Sequence, residues 1–282
     1  MMKKNSYFWL LSGLTALALS CRNGKVGETP EPVSQATFYQ TRSAETEAQK
    51  LKTITQYEMP APLKDRSERI LRRKGYTTSY NSLTKTPNWV AWHLTKAHTY
   101  GNNQRKNEVF FEDEDIARGS RATDNDYYNS RYDRGHMCPA GDNKWDAQAM
   151  RESFMFTNIC PQNHGLNKYE WNDLEIQCRD WARAYGAVDI VCGPVYKAVG
   201  DQKTIGRNKV WVPDAFFKVI LCRQGKPKAI GFVYRNESVK QSREEALRTV
   251  DQIEALTGID FFPALDDATE DRIESETDLK AW

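Results

Sequence analysis

Apolar positions along the chain fall into two patterns. Trp89 to Leu94, Val188 to Cys192, Phe216 to Leu221 and Ala229 to Tyr234 are short runs of apolar, β-branched and aromatic residues bounded by turn residues, which predicts strands. Trp171, Leu174, Cys178, Trp181, Ala182 and Tyr185 recur at three or four, which predicts one helix from Asn167 or Lys168 to Tyr185. Ser242-Arg243-Glu244-Glu245 has the form of a capping box. Leu247, Val250, Ile253 and Leu256 follow at spacing three before Gly258, so another helix is predicted there. Asp65 to Lys74 reads as a short basic helix. Strands in runs, without strict alternation with helices, predict an α+β fold.

The pattern changes near the N-terminus. Residues 1–20 carry Lys3 and Lys4, run without a charge from Tyr7 to Leu19, and end in the small Ser20 before Cys21. This predicts a signal peptide, since the uncharged run is too short to cross a bilayer as a helix. Leu17-Ala18-Leu19-Ser20-Cys21 resembles a bacterial lipobox, which implies lipidation of Cys21 and an outer-membrane or cell-surface lipoprotein; the alternative is a cleaved signal and a periplasmic or secreted protein. Residues 21–64 hold few aromatics and sustain no apolar period, so they read as a flexible tether, and the folded domain is expected over 65–282.

Composition narrows the class. With 282 residues, 39% hydrophobic and 28% charged, the chain can bury a substantial core and is not a multi-span membrane protein. The net charge of +2 does not announce a polyanion ligand. Its distribution is uneven, however: residues 257–282 hold eight acids against Arg272 and Lys280, leaving 36 − 30 = +6 on residues 21–256. That balance suits a polyanion ligand and equally a solvated charged surface. Beyond Cys21, five cysteines remain, none in a CxxC pair and none at zinc-site spacing. Structural disulfides or inert buried thiols are the readings left.

The chain has four histidines, and His136 stands in Tyr132-Asp133-Arg134-Gly135-His136-Met137. Downstream come Thr157-Asn158-Ile159-Cys160-Pro161-Gln162-Asn163 and then Leu166-Asn167-Lys168 to Glu175 on the predicted helix. This combination resembles the DNA/RNA non-specific endonuclease family, whose active site is a ββα-metal motif. The likeness runs from about Tyr76 to Trp282 and includes Cys192-Gly193-Pro194-Val195 and Val212-Pro213-Asp214-Ala215-Phe216-Phe217-Lys218. It implies a central antiparallel sheet flanked by helices and an exported, Mg²⁺-dependent hydrolase of DNA and RNA phosphodiesters with little sequence specificity, giving 5′-phosphate products. Mn²⁺ is an alternative cation. A non-catalytic nucleic-acid-binding surface lipoprotein on the same fold is the alternative function.

The resemblance also implies roles. His136 is the general base that activates water, suited by a neutral imidazole near neutral pH. Asn167 is the direct Mg²⁺ ligand. Glu175, eight residues on, would stand about 12 Å along and about 80° around a continuous helix. It is therefore expected to act through water; a direct pair would need the helix to begin after Asn167 or to be distorted. Arg105 is the candidate for holding the scissile phosphate, with Lys106 as the alternative. Asn158 and Gln162 frame the site, Asn158 by bracing His136. Arg134 and Asp133 position the strand and attract phosphate, or Asp133 is a structural partner of a nearby donor. Trp171 is expected in the core. Cys138 and Cys160 each lie two residues after a matched residue, His136 and Asn158. On neighbouring strands, period two would set both thiols on the site's side, so a Cys138–Cys160 bridge is expected, with two free thiols as the alternative.

Overall fold

Every residue of the strand Ala215–Cys222 is buried, because its odd and even positions enter two different cores. Phe216, Ile220 and Cys222 face one, and Ala215, Phe217, Val219 and Leu221 the other. This two-sided burial explains the continuous apolar run and makes the strand the centre of the sheet. The computed structural model describes residues 57–197, 200 and 202–282. The signal, the lipobox with Cys21 and most of the tether lie outside the described residues.

The strands are β1 (Arg69–Arg72), β2 (Thr77–Asn81), β3 (Thr86–Thr95), β4 (Asp133–His136), β5 (Ile159–Gln162), β6 (Ala187–Val195), β7 (Thr204–Ile205), β8 (Val210–Trp211), β9 (Ala215–Cys222), β10 (Lys228–Arg235) and β11 (Leu247–Arg248). Seven form one sheet in the order β1-β2-β3-β6-β9-β10-β11, with every neighbouring pair antiparallel; β4 pairs with β5 in a separate hairpin. The helices are α1 (Asp124–Tyr127), α2 (Ala147–Glu152), α3 (His164–Lys168), α4 (Glu170–Tyr185), α5 (Arg243–Ala246), α6 (Val250–Thr257) and α7 (Asp267–Glu274). Trp171, Leu174, Cys178 and Trp181 of α4 share a core with even positions of β9, while Val250, Ile253 and Ile273 of α6 and α7 share the other core with odd ones. The result is an α+β fold with helices on both faces of an antiparallel sheet, as expected.

The elements depart from the sequence reading in three places. Arg69–Arg72 is a strand paired with β2, not a helix: only Leu71 of the four is buried, as suits a sheet edge. The predicted helix through Asn167 is broken at Tyr169, whose ψ of −89° separates α3 from α4. The predicted helix from Ser242 to Gly258 is two helices. Its capping box forms, but Leu247 and Arg248 leave the helix to pair with Phe232 and Gly231, and Thr249 with Gln252 builds a second capping box for α6. Gly258 ends α6 at φ 68°. Residues 57–64, read as tether, place Tyr57, Met59 and Leu63 against the second core.

The expected Cys138–Cys160 bridge is absent; Cys138, Cys160, Cys178, Cys192 and Cys222 are all free and buried. Register is the reason. Cys160 opposes Gly135, three residues short of Cys138, which lies beyond the end of β4. Cys138 Sγ instead accepts a hydrogen bond from Asn143 Nδ2 (3.3 Å).

Candidate active site

The hairpin β4–β5 and the helices that follow it form a ββα unit, and its geometry starts from a glycine. Gly135 opposes Cys160, and the Gln162 side chain folds across it so closely that a Cβ would overlap Gln162 Oε1. This packing delivers His136 at the end of β4. Two contacts then fix the backbone around it. Trp171 Nε1 donates to His136 O (3.3 Å), and Asn158 accepts from Cys138 N (2.9 Å) while donating to Cys138 O and Ser153 O (both 2.8 Å).

The His136 ring is only 8% exposed. It stands edge-on to Phe154, with centroids 4.8 Å apart, and 5.4 Å from Phe110. Its Nε2 is buried without a hydrogen-bond partner, and the residue lines the cavity. Burial, reinforced by the charge of Arg105, pushes the imidazole down to about 3, so the ring is neutral across the physiological range.

The break at Tyr169 decides the rest. On an unbroken helix Asn167 and Glu175 would point apart; with the break, both line the same cavity of about 260 Å³ as His136. Asn167 Nδ2 donates to Asp133 Oδ2 (2.9 Å), which turns the amide so that its carbonyl oxygen is the free acceptor. The same Asp133 oxygen meets His164 Nδ1 at 2.9 Å. Glu175 accepts no hydrogen bond among the described residues. Burial pushes its carboxyl up to about 7, against the pull of Lys218, Arg179 and Arg105. An amide oxygen and a desolvated, unpartnered carboxyl on one wall form a donor set that suits a hard divalent cation needing few protein ligands.

The cavity's charge is otherwise positive. Arg105, Lys144 and Arg179 line it against the single carboxylate of Glu175. Arg179 Nη1 is held by Asp142 Oδ1 (2.9 Å), whose other oxygen accepts from Trp92 Nε1 (3.0 Å); a Cβ on Gly141 would crowd the guanidinium. Lys218, on the inward register of β9, is fully buried with Nζ partnerless, 4.3 Å from the Trp171 ring centroid and 5.4 Å from that of Trp92. Sequence reasoning missed Asn172, Arg179, Lys144 and Lys218. Asn172, Glu175 and Arg179 do repeat at three and four beside the apolar stripe of α4, and Lys218 interrupts an otherwise apolar strand; Lys144 carried no signal.

Of the residues singled out in the sequence, the structure brings His136, Arg105, Asn167 and Glu175 together on the cavity, and Lys106 does not line it. Asn158 and Gln162 do not line it either: both are fully buried, Asn158 clamping backbone and Gln162 with both amide atoms unpartnered. Arg134 turns outward to Asp124 (2.7 Å) across the Phe110 ring, and Asp133 acts as a structural partner of Asn167. A larger cleft of about 1020 Å³ is lined by both signs of charge, Glu112, Asp113, Glu114, Asp115 and Asp124 against Arg118, Arg121 and Arg151, with Glu112 paired to Arg121.

Comparison with known proteins bears on the family and the fold. Residues 52–268 match the family model described as DNA/RNA non-specific endonuclease. The chain is 36% identical over 205 residues to "Nuclease EXOG, mitochondrial" of Xenopus laevis, covering 68% of this chain and 57% of that protein. It is 32% identical over 276 residues to "Mitochondrial nuclease" of Saccharomyces cerevisiae, covering 89% and 81%. It is 32% identical over 203 residues to "Endonuclease G, mitochondrial" of Homo sapiens, covering 68% of each. The chain thus spans little more than half the length of the Xenopus relative. A solved structure titled "Crystal structure of the EndoG/EndoGI complex: Mechanism of EndoG inhibition" superposes with a TM-score of 0.71 at 28% identity, covering 77% of this chain and 92% of that one. These relatives also correct the expected location: proteins named as mitochondrial overturn the exported, outer-membrane or cell-surface placement. A basic start followed by an apolar run is a general targeting pattern, and its chemistry alone does not fix the membrane that it addresses. Matched by that family model over residues 52–268 and by these relatives at 32–36% identity, the chain belongs to the DNA/RNA non-specific endonuclease family.

Proposed function

We propose that the chain is a Mg²⁺-dependent endonuclease that hydrolyses phosphodiester bonds of DNA and RNA with little sequence preference. The observation that carries this reading is the convergence of His136, Asn167, Glu175 and Arg105 on one cavity whose remaining charged side chains are cationic. His136 takes the proton of the attacking water. Its ring is neutral before substrate arrives, and an anionic phosphate beside it favours the imidazolium that proton transfer creates.

Arg105 holds the scissile phosphate and stabilises the charge that develops on it, as a guanidinium fork can. Asn167, through its carbonyl oxygen, and Glu175, through water, would hold the cation, and Mg²⁺ held there would supply stabilisation of the negative charge that develops in the reaction. Asp133 and Asn158 are positioning residues, the first through the Asn167 amide and the second through the backbone beyond His136. Gln162 positions Gly135 by packing. Arg179 and Lys144, which line the cavity, attract flanking phosphates. Contacts of this kind carry affinity without reading bases, which accounts for sequence tolerance.

The test is incubation of the purified protein with supercoiled plasmid and with RNA, in Mg²⁺ or EDTA. Cutting of both in Mg²⁺ and of neither in EDTA is expected. Retardation without cutting would make the protein a nucleic-acid binder and overturn the proposal.

A further inference from the structure

The acids at the C-terminal end of the sequence play no part in the cavity. Helices α6 and α7 bring one of them, Glu274, together with Asp251 and Glu254 on the other face of the sheet. Asp251 and Glu254 lie one turn apart on α6, Glu274 ends α7, and each offers an oxygen within 4.8 Å of the other two. At that limit three oxygens stand about 2.8 Å from their common centre, so side-chain adjustments of a few tenths of an ångström, with no movement of the helices, would bring them to the roughly 2.3–2.6 Å that Ca²⁺ takes.

A second observation points the same way. Glu274 is only 5% exposed, and its Oε1 is buried without a hydrogen-bond partner. Arg272, on the same helix as Glu274, turns away to Pro227 O (3.0 Å). Glu254 is already oriented by accepting from Phe261 N (2.7 Å). The three groups grade from buried Glu274 through half-buried Glu254 to exposed Asp251, so one side is open for water to complete a coordination shell.

A second triad, Glu58, His93 and Asp189, lacks this character. His93 Nδ1 lies 2.6 Å from one Asp189 oxygen and Arg223 Nε 2.8 Å from the other, so Asp189 is already satisfied.

We propose that Asp251, Glu254 and Glu274 form a calcium site, separate from the active cavity, that ties α7 to α6. An all-oxygen set excludes a preference for soft metals, and three carboxylates free to bind through one or both oxygens suit the large, irregular shell of Ca²⁺ better than the strict octahedron of Mg²⁺.

The test is thermal unfolding of the full chain, freed of metal with chelator and then titrated with Ca²⁺ or Mg²⁺. For a dissociation constant of about 10⁻⁴–10⁻³ M, Ca²⁺ at about 10 mM should raise the Tm by about 3–10 °C. Glu274→Gln and Asp251→Asn should each lose most of that shift; Asp251 is exposed, so its variant keeps the fold. Asn167→Ala, altered only in the active cavity, should retain it. No Ca²⁺ shift, a shift that survives both carboxylate variants, one lost in Asn167→Ala, or one equalled by Mg²⁺ in Asn167→Ala, where the active-cavity ligand is removed, would overturn the assignment.

Discussion

The acid limb of the pH–rate profile should belong to Glu175 and not to His136. An ordinary histidine base titrates near 6.5 and would itself set that limb. Here burial and Arg105 hold the His136 imidazole at about 3, so it is a free base throughout the working range. Glu175 is pushed up from 4.5 to about 7 by burial. At about 1.4 kcal/mol per pH unit, that shift corresponds to about 3 kcal/mol of preference for the neutral acid. The sign follows: Glu175 is a neutral acid below pH 7 and a carboxylate above it. At limiting Mg²⁺, about nine-tenths of it is ionised at pH 8 and about one-tenth at pH 6, so kcat/KM should fall by about tenfold between them. Saturating Mg²⁺ favours the carboxylate and should move the limb to lower pH. The assay is cleavage of a fluorescent oligonucleotide from pH 5 to 9 at two Mg²⁺ concentrations, for the parent and Glu175→Gln. The variant should be slow with no limb near 7. A limb that stays near 6.5 in Glu175→Gln, indifferent to Mg²⁺, would refute the assignment and return the titration to His136.

Other outcomes follow from single contacts. Asp133→Ala frees the Asn167 amide and should weaken Mg²⁺ activation by about 10–100-fold, with Asn167→Ala at least as damaging, as read from Mg²⁺ titrations of cleavage. Lys218→Met should leave stability nearly unchanged, since it replaces a buried ammonium without a hydrogen-bond partner by an apolar chain of similar size. It also removes a cation that pulls Glu175 down, so the acid limb should move to higher pH. Gly135→Ala should cost about 1–3 kcal/mol in denaturant unfolding, because its Cβ overlaps Gln162. A reductant should not change the Tm, since the five described cysteines form no bridge.

Much of this was legible in the sequence wherever one physical signal dominated. Two-sided burial made β3, β6, β9 and β10 readable as apolar runs, and the core stripe of α4 was readable from its period. Breaks were not. Tyr169 carries no helix-breaking chemistry, and its backbone geometry is tertiary in origin; yet it brings Asn167 and Glu175 onto the same cavity. The paired edge Leu247–Arg248 was hidden because Leu247 and Val250 fit a helical period as well as a strand and a second cap. Pairing register, which no strand reveals alone, separated Cys138 from Cys160. The motif singled out His136 and Asn167, which both line the cavity. It could not reveal that Asn158 and Gln162 act from inside the core, or that Arg179 and Lys218 supply charge from α4 and β9.

The most direct measurement is the single-turnover cleavage rate of His136→Ala at saturating Mg²⁺, with circular dichroism matched to the parent. Loss of a general base predicts a rate lower by about 10²–10⁴-fold with unchanged nucleic-acid affinity. A rate within about twofold of the parent would contradict the proposed hydrolysis, since the convergence of Asn167, Glu175 and Arg105 on that ring would then serve no proton transfer.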